Sequence, residues 1–470
     1  MSKTVITEET ENKESRKNPL GEKPVGRLIL QFALPSIVAM LVSSLYNIVD
    51  QFFIGRSVGE LGNAATNISF PLSISCTAIA LLFGIGGASA FNISMGKGER
   101  DKAVFYLGNA MVMLIGCGVA LSAVTLIFLE PLLRFFGSPD NVLSYAETYT
   151  GIVAFGFPFL IFTTGGGHLI RADGRPKVSM ACNLTGAIIN TILDFIFVFE
   201  LNLGMAGAAT ATVIGQVVSG CMAIYFLSHC QTVQIRKTHL VPQANNVKRI
   251  ASLGAAPCSN QISMMVVQIV MNKSLKYYGS LSVFGEAIPI ACAGIITKVN
   301  QIFMAFVIGI SQGVQPITSF NYGAGKYLRV KSAYLRAISS AAVISIIAFL
   351  MFQLMPHQII AIFGDGSEEY FQFAEEYFRI YLFFTFINFL QPLTSNFFTS
   401  IGKPTRGVLL SLTRQIIFLL PLLLIFPLFM GIDGIMYAGP VADGMAAAVT
   451  IIMIIRELRE ERYRKTNPQV

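Results

Sequence analysis

Two carboxylates stand inside stretches of the chain that are otherwise apolar and long enough to cross a bilayer. Asp50 lies near the end of a run that carries no charge from Leu28 to Val49, and Asp194 lies within a second run. A carboxylate in hydrocarbon costs roughly 2.5–3.5 kcal/mol on insertion scales, so it usually holds a proton, an ion or a partner charge. Because Asp50 lies close to the end of its run, the alternative is that it faces the headgroup region.

Oxygen-bearing side chains accompany these two acids. Asn190 precedes Asp194 by four residues, which places both on one helical face. With a rise of 1.5 Å per residue, Asp50, Asp194 and Thr212 lie about 6, 9 and 10 Å from the outer ends of their predicted helices. Their oxygens suit a hard cation such as Na⁺, or a shared proton. The sequence leaves both H⁺ and Na⁺ as candidates for the coupling ion. Burial favours protonation of the carboxylates, whereas a bound Na⁺ favours the charged form of both. Two unrelated polar contacts are the alternative.

Three further charges lie deep inside apolar runs of the second half of the chain. Lys298, Arg414 and Asp443 are each roughly 13–21 Å along their predicted helices. Charges at such depth are expected to pair, so we predict a structural bridge from Asp443 to Lys298 or Arg414. The alternative is that the surplus positive charge binds an anionic group of a substrate.

The sequence contains no recognisable catalytic constellation. His168 follows three glycines at the end of a run, and such a lone histidine is typically packed or solvated. Seven cysteines are scattered, mostly through apolar runs, without a CxxC spacing, which is typical of small buried hydrophobes rather than disulfides or metal ligands. We therefore predict that the protein is not an enzyme and uses no cofactor apart from a coupling ion.

The composition is that of an integral membrane protein. The chain of 470 residues is 53% hydrophobic and 13% charged, whereas soluble domains carry roughly 25% charged residues. Lipid offers the backbone no hydrogen-bond partner, so the repeated apolar runs must be helices. Twelve spans are predicted, at about 28–54, 62–95, 103–129, 145–170, 178–200, 205–228, 250–272, 284–320, 330–355, 371–400, 405–430 and 434–455.

Basic residues cluster on one side of this arrangement, and the opposite loops are acidic. The clusters are Lys97, Arg100 and Lys102; Arg171, Arg175 and Lys177; Arg236, Lys237, Lys248 and Arg249; Lys326, Arg329, Lys331 and Arg336; Lys403 and Arg406; and the tail Arg456–Lys465. The positive-inside rule then predicts cytoplasmic tails at 1–27 and 456–470 and a multi-pass protein of the cytoplasmic (inner) membrane. The net charge of +8 therefore reflects orientation in the membrane, and we expect no nucleic-acid partner.

The chain repeats itself. Matching landmarks recur at offsets between 222 and 228 residues, among them Pro35 and Pro257, Gly174-Arg-Pro176 and Gly402-Lys-Pro404, and Gly204 and Gly431. This predicts two pseudo-symmetric six-helix bundles at 28–228 and 250–455, joined by a cytoplasmic linker at 229–249. Six is an even number, so both bundles enter from the same side, a transporter design that places the substrate between the halves.

Several motifs together resemble those of the multidrug and toxic compound extrusion (MATE) family. They are FALPS at 32–36, IVDQFFIG at 48–55, MGKG at 95–98, RADGRPK at 171–177, NTILD at 190–194 and GMAGAATAT at 204–212. The resemblance covers about residues 24–456. It implies an all-α, V-shaped pair of bundles with alternating access, and a cation site at Asp50, Asn190, Asp194 and Thr212. Asp50 and Asp194 would carry the negative charge that binds the coupling ion, and Asn190 and Thr212 would add neutral ligands.

One difference from the family pattern indicates which branch of the family the chain resembles. One branch carries acidic residues in the seventh span, where this sequence has Gln261 and Gln268 and no carboxylate. The chain therefore looks more like the DinF-like bacterial branch, with coupling confined to the N-terminal half.

We predict a secondary active antiporter, a monomer embedded in membrane lipid, that exports small amphipathic organic compounds, cationic or zwitterionic, in exchange for H⁺ or Na⁺. Flexible Met and Phe side chains in the cleft would tolerate varied hydrophobic ligands. The first alternative is a flippase for a lipid-linked oligosaccharide or another lipid-like anion, which would favour a basic cleft. The second alternative is a membrane enzyme or a channel. The sequence contains neither a catalytic constellation that would support an enzyme nor a repeated filter segment that would support a channel.

Overall fold

The computed structural model describes residues 18–285, 287–362 and 368–460, and these ranges contain helices and connecting turns but no strand. Residues 1–17 and 461–470 of the two predicted tails lie outside the described residues.

The first half of the chain forms six long helices. They are α1 (Val25–Val58), α2 (Glu60–Lys97), α3 (Arg100–Ile127), α4 (Asp140–Ala172), α5 (Pro176–Glu200) and α6 (Gly204–Ser228). Short helices lie at Pro19–Glu22 and Leu129–Phe135, and a 3-10 turn at Lys237–Leu240 lies in the linker.

The second half repeats this plan. It forms α7 (Ala244–Ser280), α8 (Ala287–Gly323), α9 (Tyr327–Leu354), α10 (Glu368–Tyr381, Thr385–Asn388 and Leu390–Ser400), α11 (Pro404–Met430) and α12 (Ile432–Leu458), with a short helix at Pro356–Ala361.

Equivalent turns precede α5 and α11. Pro176 and Pro404 occupy the first turn of each helix, where no intrahelical N–H is required. Gly174 and Gly402 have φ angles of +88° and +76°, a region that only glycine adopts without strain. The Gly-x-Pro repeat in the sequence therefore encodes the same turn twice.

The prediction of twelve membrane helices is confirmed, although within the described ranges only ten are continuous and apolar enough to be recognised by composition. The two exceptions have physical causes. Helix α7 is continuous but carries Gln261, Gln268 and Asn272. Helix α10 is interrupted after Tyr381 and again before Leu390.

Glycines let helices of the two halves approach closely near one end of the molecule. We call this the basic end, because it carries Lys97 and Lys326. A Cβ on Gly86 would lie 2.0 Å from the carbonyl oxygen of Ile250, and a Cβ on Gly254 would meet a carbonyl oxygen of α2 at 1.8 Å. Helix α7 thus packs on α2, and α8 packs on α1. The boundaries 28–228 and 250–455 stay a prediction.

Candidate functional site

The four candidate residues lie buried on three helices that pack side by side. Asp50 of α1 is 8% exposed, Asn190 and Asp194 of α5 are 3% and 0% exposed, and Thr212 of α6 is 4% exposed. Helix α5 packs against both α1 and α6. Asp50 therefore points into the protein, although it lies close to the end of its helix.

The side chains of these residues are in mutual contact. Asn190 Nδ2 donates a hydrogen bond of 3.2 Å to Thr212 Oγ1. The carboxyl groups of Asp50 and Asp194 lie close together, and Asn190 also lies near Asp194. The structure therefore brings together all four residues.

The site contains more acceptors than donors. The described residues supply no N–H or O–H partner to Asp50 Oδ1, Asn190 Oδ1 or either carboxylate oxygen of Asp194. Buried polar atoms are normally hydrogen-bonded, and buried charges are normally paired or bound to an ion. Four acceptor oxygens on two helices can be satisfied by a shared proton or by a hard cation such as Na⁺.

Close packing of α5 on α6 positions the neutral ligands. A Cβ on Gly215 would lie 2.7 Å from the carbonyl oxygen of Gly186, so this position needs the smallest residue, and a Cβ on Gly186 would be tightly packed against Ser219. This approach lies about one turn from Asn190 and Thr212. It brings an amide and a hydroxyl from different helices within hydrogen-bonding distance.

The backbone changes form directly after the site. Helix α5 is α-helical to Asp194 and continues as a π-helix over Phe195–Glu200. Such wide segments are rare and frequently occur at functional sites. The π-helical segment of α5 therefore adjoins Asp194 directly.

Two tyrosines border the site that sequence analysis did not single out. Tyr46 lies against Thr212 and close to both acids, and Tyr149 of α4 lies near the same pair. Tyr46 precedes Asp50 by four residues, so its helical spacing could have indicated a shared face. Tyr149 carries no such signal, since only the packing of α4 places it there.

The charges of the second half are arranged differently. Arg414 of α11 forms an ion pair with Asp443 of α12, and both side chains are largely buried. Lys298 of α8 is half-buried and has no ion-pair partner among the residues that the structure describes. Of the two bridges expected for Asp443, the structure contains the one with Arg414.

His168 is a buried side chain near the end of α4. Its Nδ1 lies 2.9 Å from Arg171 Nη2, so this nitrogen accepts a hydrogen bond from the guanidinium. No group of three or more His, Cys, Asp or Glu side chains gathers into a metal site in the part of the chain that is described.

Comparison with known proteins gives a consistent result over most of the chain. The family model MatE matches residues 35–196 and 258–425, one stretch in each half. Multidrug export protein MepA of Staphylococcus aureus (strain MSSA476) is 24% identical over 439 residues, which cover 93% of this chain and 95% of that protein. MepA of Staphylococcus haemolyticus (strain JCSC1435) is 24% identical over 434 residues, covering 92% and 94%.

Solved structures share the fold. A MOP superfamily transporter from Pyrococcus furiosus superposes with a TM-score of 0.87 at 21% identity, covering 95% of this chain and 98% of the other. A multidrug resistance MATE family transporter in its outward-facing conformation superposes with a TM-score of 0.86 at 22% identity, covering 95% and 99%. The predicted all-α, V-shaped fold of twelve helices in two pseudo-symmetric bundles is therefore confirmed.

Proposed function

The chain belongs to the MatE family of transporters, and we propose that it is a secondary active antiporter that exports amphipathic organic compounds in exchange for H⁺ or Na⁺. The names of its relatives support multidrug export rather than the flippase alternative. The pairing of Arg414 with Asp443 also argues against a flippase, because it neutralises one of the two cations expected in a basic cleft.

One observation carries the assignment of the coupling site. Asp50 and Asp194, on different helices, place their carboxyl groups together in a buried position where the described residues offer no donor to three of their four oxygens. A positive ion that binds there satisfies both helices at once. Asn190 and Thr212 would add neutral ligands if the ion is Na⁺, and a single proton shared by the two acids would serve equally.

Binding at this site would control the conformation. Uptake of a positive ion removes the repulsion between the two carboxylates and pulls α1 and α5 together, with the π-helix after Asp194 absorbing the change. Ion and exported compound need not touch, because each needs only to favour a different state of the transporter. Coupling would then lie in the N-terminal half, as in the DinF-like branch that the sequence resembles.

We further propose that the basic end faces the cytoplasm, as the positive-inside rule requires. Both termini would then be cytoplasmic, and the protein would lie in the cytoplasmic membrane. Closed contacts between the halves at the basic end would make this conformation open to the outside. The bundles 28–228 and 250–455 would be the moving units of a monomer.

Efflux from proteoliposomes tests the function. Purified protein is reconstituted with ethidium, a fluorescent amphipathic cation, and a pH gradient or a Na⁺ gradient is imposed in turn. We expect one of the two gradients to drive ethidium transport by the wild type. Failure of both gradients to drive it, or transport that needs no gradient, would overturn the antiporter.

The variants Asp50→Asn and Asp194→Asn test the site in the same assay. Each keeps the shape of the side chain but removes its charge, so we expect gradient-driven transport to be lost while the protein still folds. Asp433→Asn is the matched control, because Asp433 is an exposed carboxylate at the start of α12. Coupled efflux that persists in Asp50→Asn would refute the coupling site without refuting export.

A further inference from the structure

A second buried charge lies outside the coupling site. Arg171, near the end of α4 at the basic end, is only 3% exposed. Among the described residues it forms no ion pair with a carboxylate, although a buried cation is normally paired. The neighbouring Arg175, by contrast, is paired with Asp173 at 2.7 Å.

Among the described residues, the partners of Arg171 are all neutral. Nη1 donates to Ser179 Oγ at 2.8 Å, and Nη2 donates to His168 Nδ1 at 2.9 Å and to Gln312 Oε1 at 3.1 Å. Nε is buried without a partner. Since His168 accepts at Nδ1, its imidazole is neutral here, and no described residue compensates the positive charge of Arg171.

The contact with Gln312 joins the two halves. Gln312 lies on α8, whereas Arg171, His168 and Ser179 lie on α4 and α5. One turn along α8, Gln315 donates to Ser89 Oγ of α2 at 2.9 Å. These two glutamines belong to the closed basic end, so separation of the halves would withdraw Gln312 from the guanidinium.

Withdrawal of Gln312 would leave one edge of the Arg171 guanidinium free to bind an anion. Nε and Nη2 lie on the same edge of the guanidinium plane, which matches the two oxygens of a carboxylate. Nε already has no partner, and Nη2 would lose its bond to Gln312. A carboxylate bound there would satisfy both donors and compensate the buried charge.

We propose that Arg171 binds the carboxylate of zwitterionic cargo when the halves separate at the basic end, and that Gln312 displaces this carboxylate when they close. This inference rests on the proposed export function and defines its cargo class more narrowly. An amide oxygen binds a guanidinium less strongly than a carboxylate does, so closure of the halves, driven by the coupling ion, must supply the free energy for this displacement.

A matched pair of compounds tests the proposal. The probes are a fluorescent quinolone carboxylic acid and its methyl ester, which differ in the anionic group alone. Transport into or out of proteoliposomes gives the concentration for half-maximal rate for each. For Arg171→Gln, we expect this concentration to rise about 10-fold more for the acid than for the ester, as befits one lost charge-assisted contact.

Two further variants keep the test decisive if Arg171→Gln folds poorly. Arg171→Lys keeps the charge but loses the planar fork, so acid transport should weaken by less than in Arg171→Gln. Gln312→Glu keeps Arg171 and supplies a competing carboxylate, so acid transport should fall. Lys177→Gln, which removes an exposed charge six residues away, is the control for surface charge.

The outcomes separate the two proposals. The role of Arg171 would be overturned if Arg171→Gln raised the concentration for half-maximal rate equally for acid and ester. Acid transport at the wild-type rate in Gln312→Glu would overturn it as well. Neither result would affect the export function. Failure of the wild type to transport the acid, the ester and ethidium would instead refute the export function.

Discussion

The side-chain amide of Asn190 donates to the hydroxyl of Thr212 across 3.2 Å, and this bond joins α5 to α6 beside the Asp50–Asp194 pair. The amide oxygen of Asn190 receives no hydrogen bond from the part of the chain that is described, so it is available to an ion. This hydrogen bond thus orients the Asn190 side chain, so that its amide oxygen can serve as a ligand for the ion beside the two carboxylates.

Thr212→Val should weaken binding of the coupling ion without unfolding the protein. Valine keeps the shape of threonine but removes the acceptor of the Asn190 bond, and a net hydrogen bond contributes about 1 kcal/mol. We expect the ion concentration for half-maximal transport to rise by roughly 5- to 10-fold. Thr212→Ser keeps the hydroxyl and should behave like the wild type; equal effects of the two changes would exclude a role for the hydroxyl.

Tyr46→Phe tests a residue identified by the structure rather than by the sequence. Its hydroxyl lies close to Thr212 and near both acids, so loss of the hydroxyl removes a polar neighbour while packing is kept. We expect weaker ion coupling, measured as the ratio of cation flux to ethidium flux, with an unchanged thermal stability. Tyr437→Phe, on the exposed part of α12, serves as a control. An unaltered ratio would show that Tyr46 only packs.

Asp443→Asn should destabilise the second half. It leaves the Arg414 guanidinium buried without a charged partner, and breaking a buried pair in this way costs about 3–5 kcal/mol. Replacing both residues by leucine should cost less, since no charge is then left unpaired. Thermal unfolding in detergent measures the difference, and Lys298→Met should lower the unfolding temperature far less. A double variant as unstable as Asp443→Asn would contradict this account.

Gly254→Ala should open the basic end. The added methyl group would lie 1.8 Å from the carbonyl oxygen of Leu82, which is backbone and cannot yield. The contact between α7 and α2 must therefore widen. We expect faster hydrogen–deuterium exchange in the α2 and α7 segments that meet there. Gly294→Ala is the matched control, because a Cβ on Gly294 meets nothing within 4 Å. Unchanged exchange in Gly254→Ala would refute tight closure at this end.

Asp173→Asn should loosen the linker between the halves. The Asp173 carboxylate accepts hydrogen bonds from the backbone N–H groups of Gln231 and Thr232 at 3.1 and 3.0 Å and pairs with Arg175. The residue is 1% exposed, so loss of its charge leaves Arg175 uncompensated. We expect a lower unfolding temperature and faster proteolysis of the linker, with coupling to the ion gradient retained. A selective loss of coupling would show a functional role instead.

Much of the fold could be predicted from the sequence, because lipid forces every apolar run into a helix. Run length and charge asymmetry determined the helices and the predicted orientation. The offset between Gly174 and Gly402 determined the internal repeat, since the same strained turn needs glycine at both positions. The break within α10 could not be predicted in this way, because apolar composition alone does not reveal where a helix is interrupted.

The sequence by itself determined that Asp50 and Asp194 are exceptional, since charged side chains in apolar runs are costly wherever the helices lie. Only the tertiary structure decided that these two acids meet, that Asp443 pairs with Arg414 rather than Lys298, and that Arg171 has only neutral partners among the described residues. The physical reason is that contacts between helices depend on their rotation and their distance of approach. Both are set by packing at small residues such as Gly186 and Gly215, which no local pattern records.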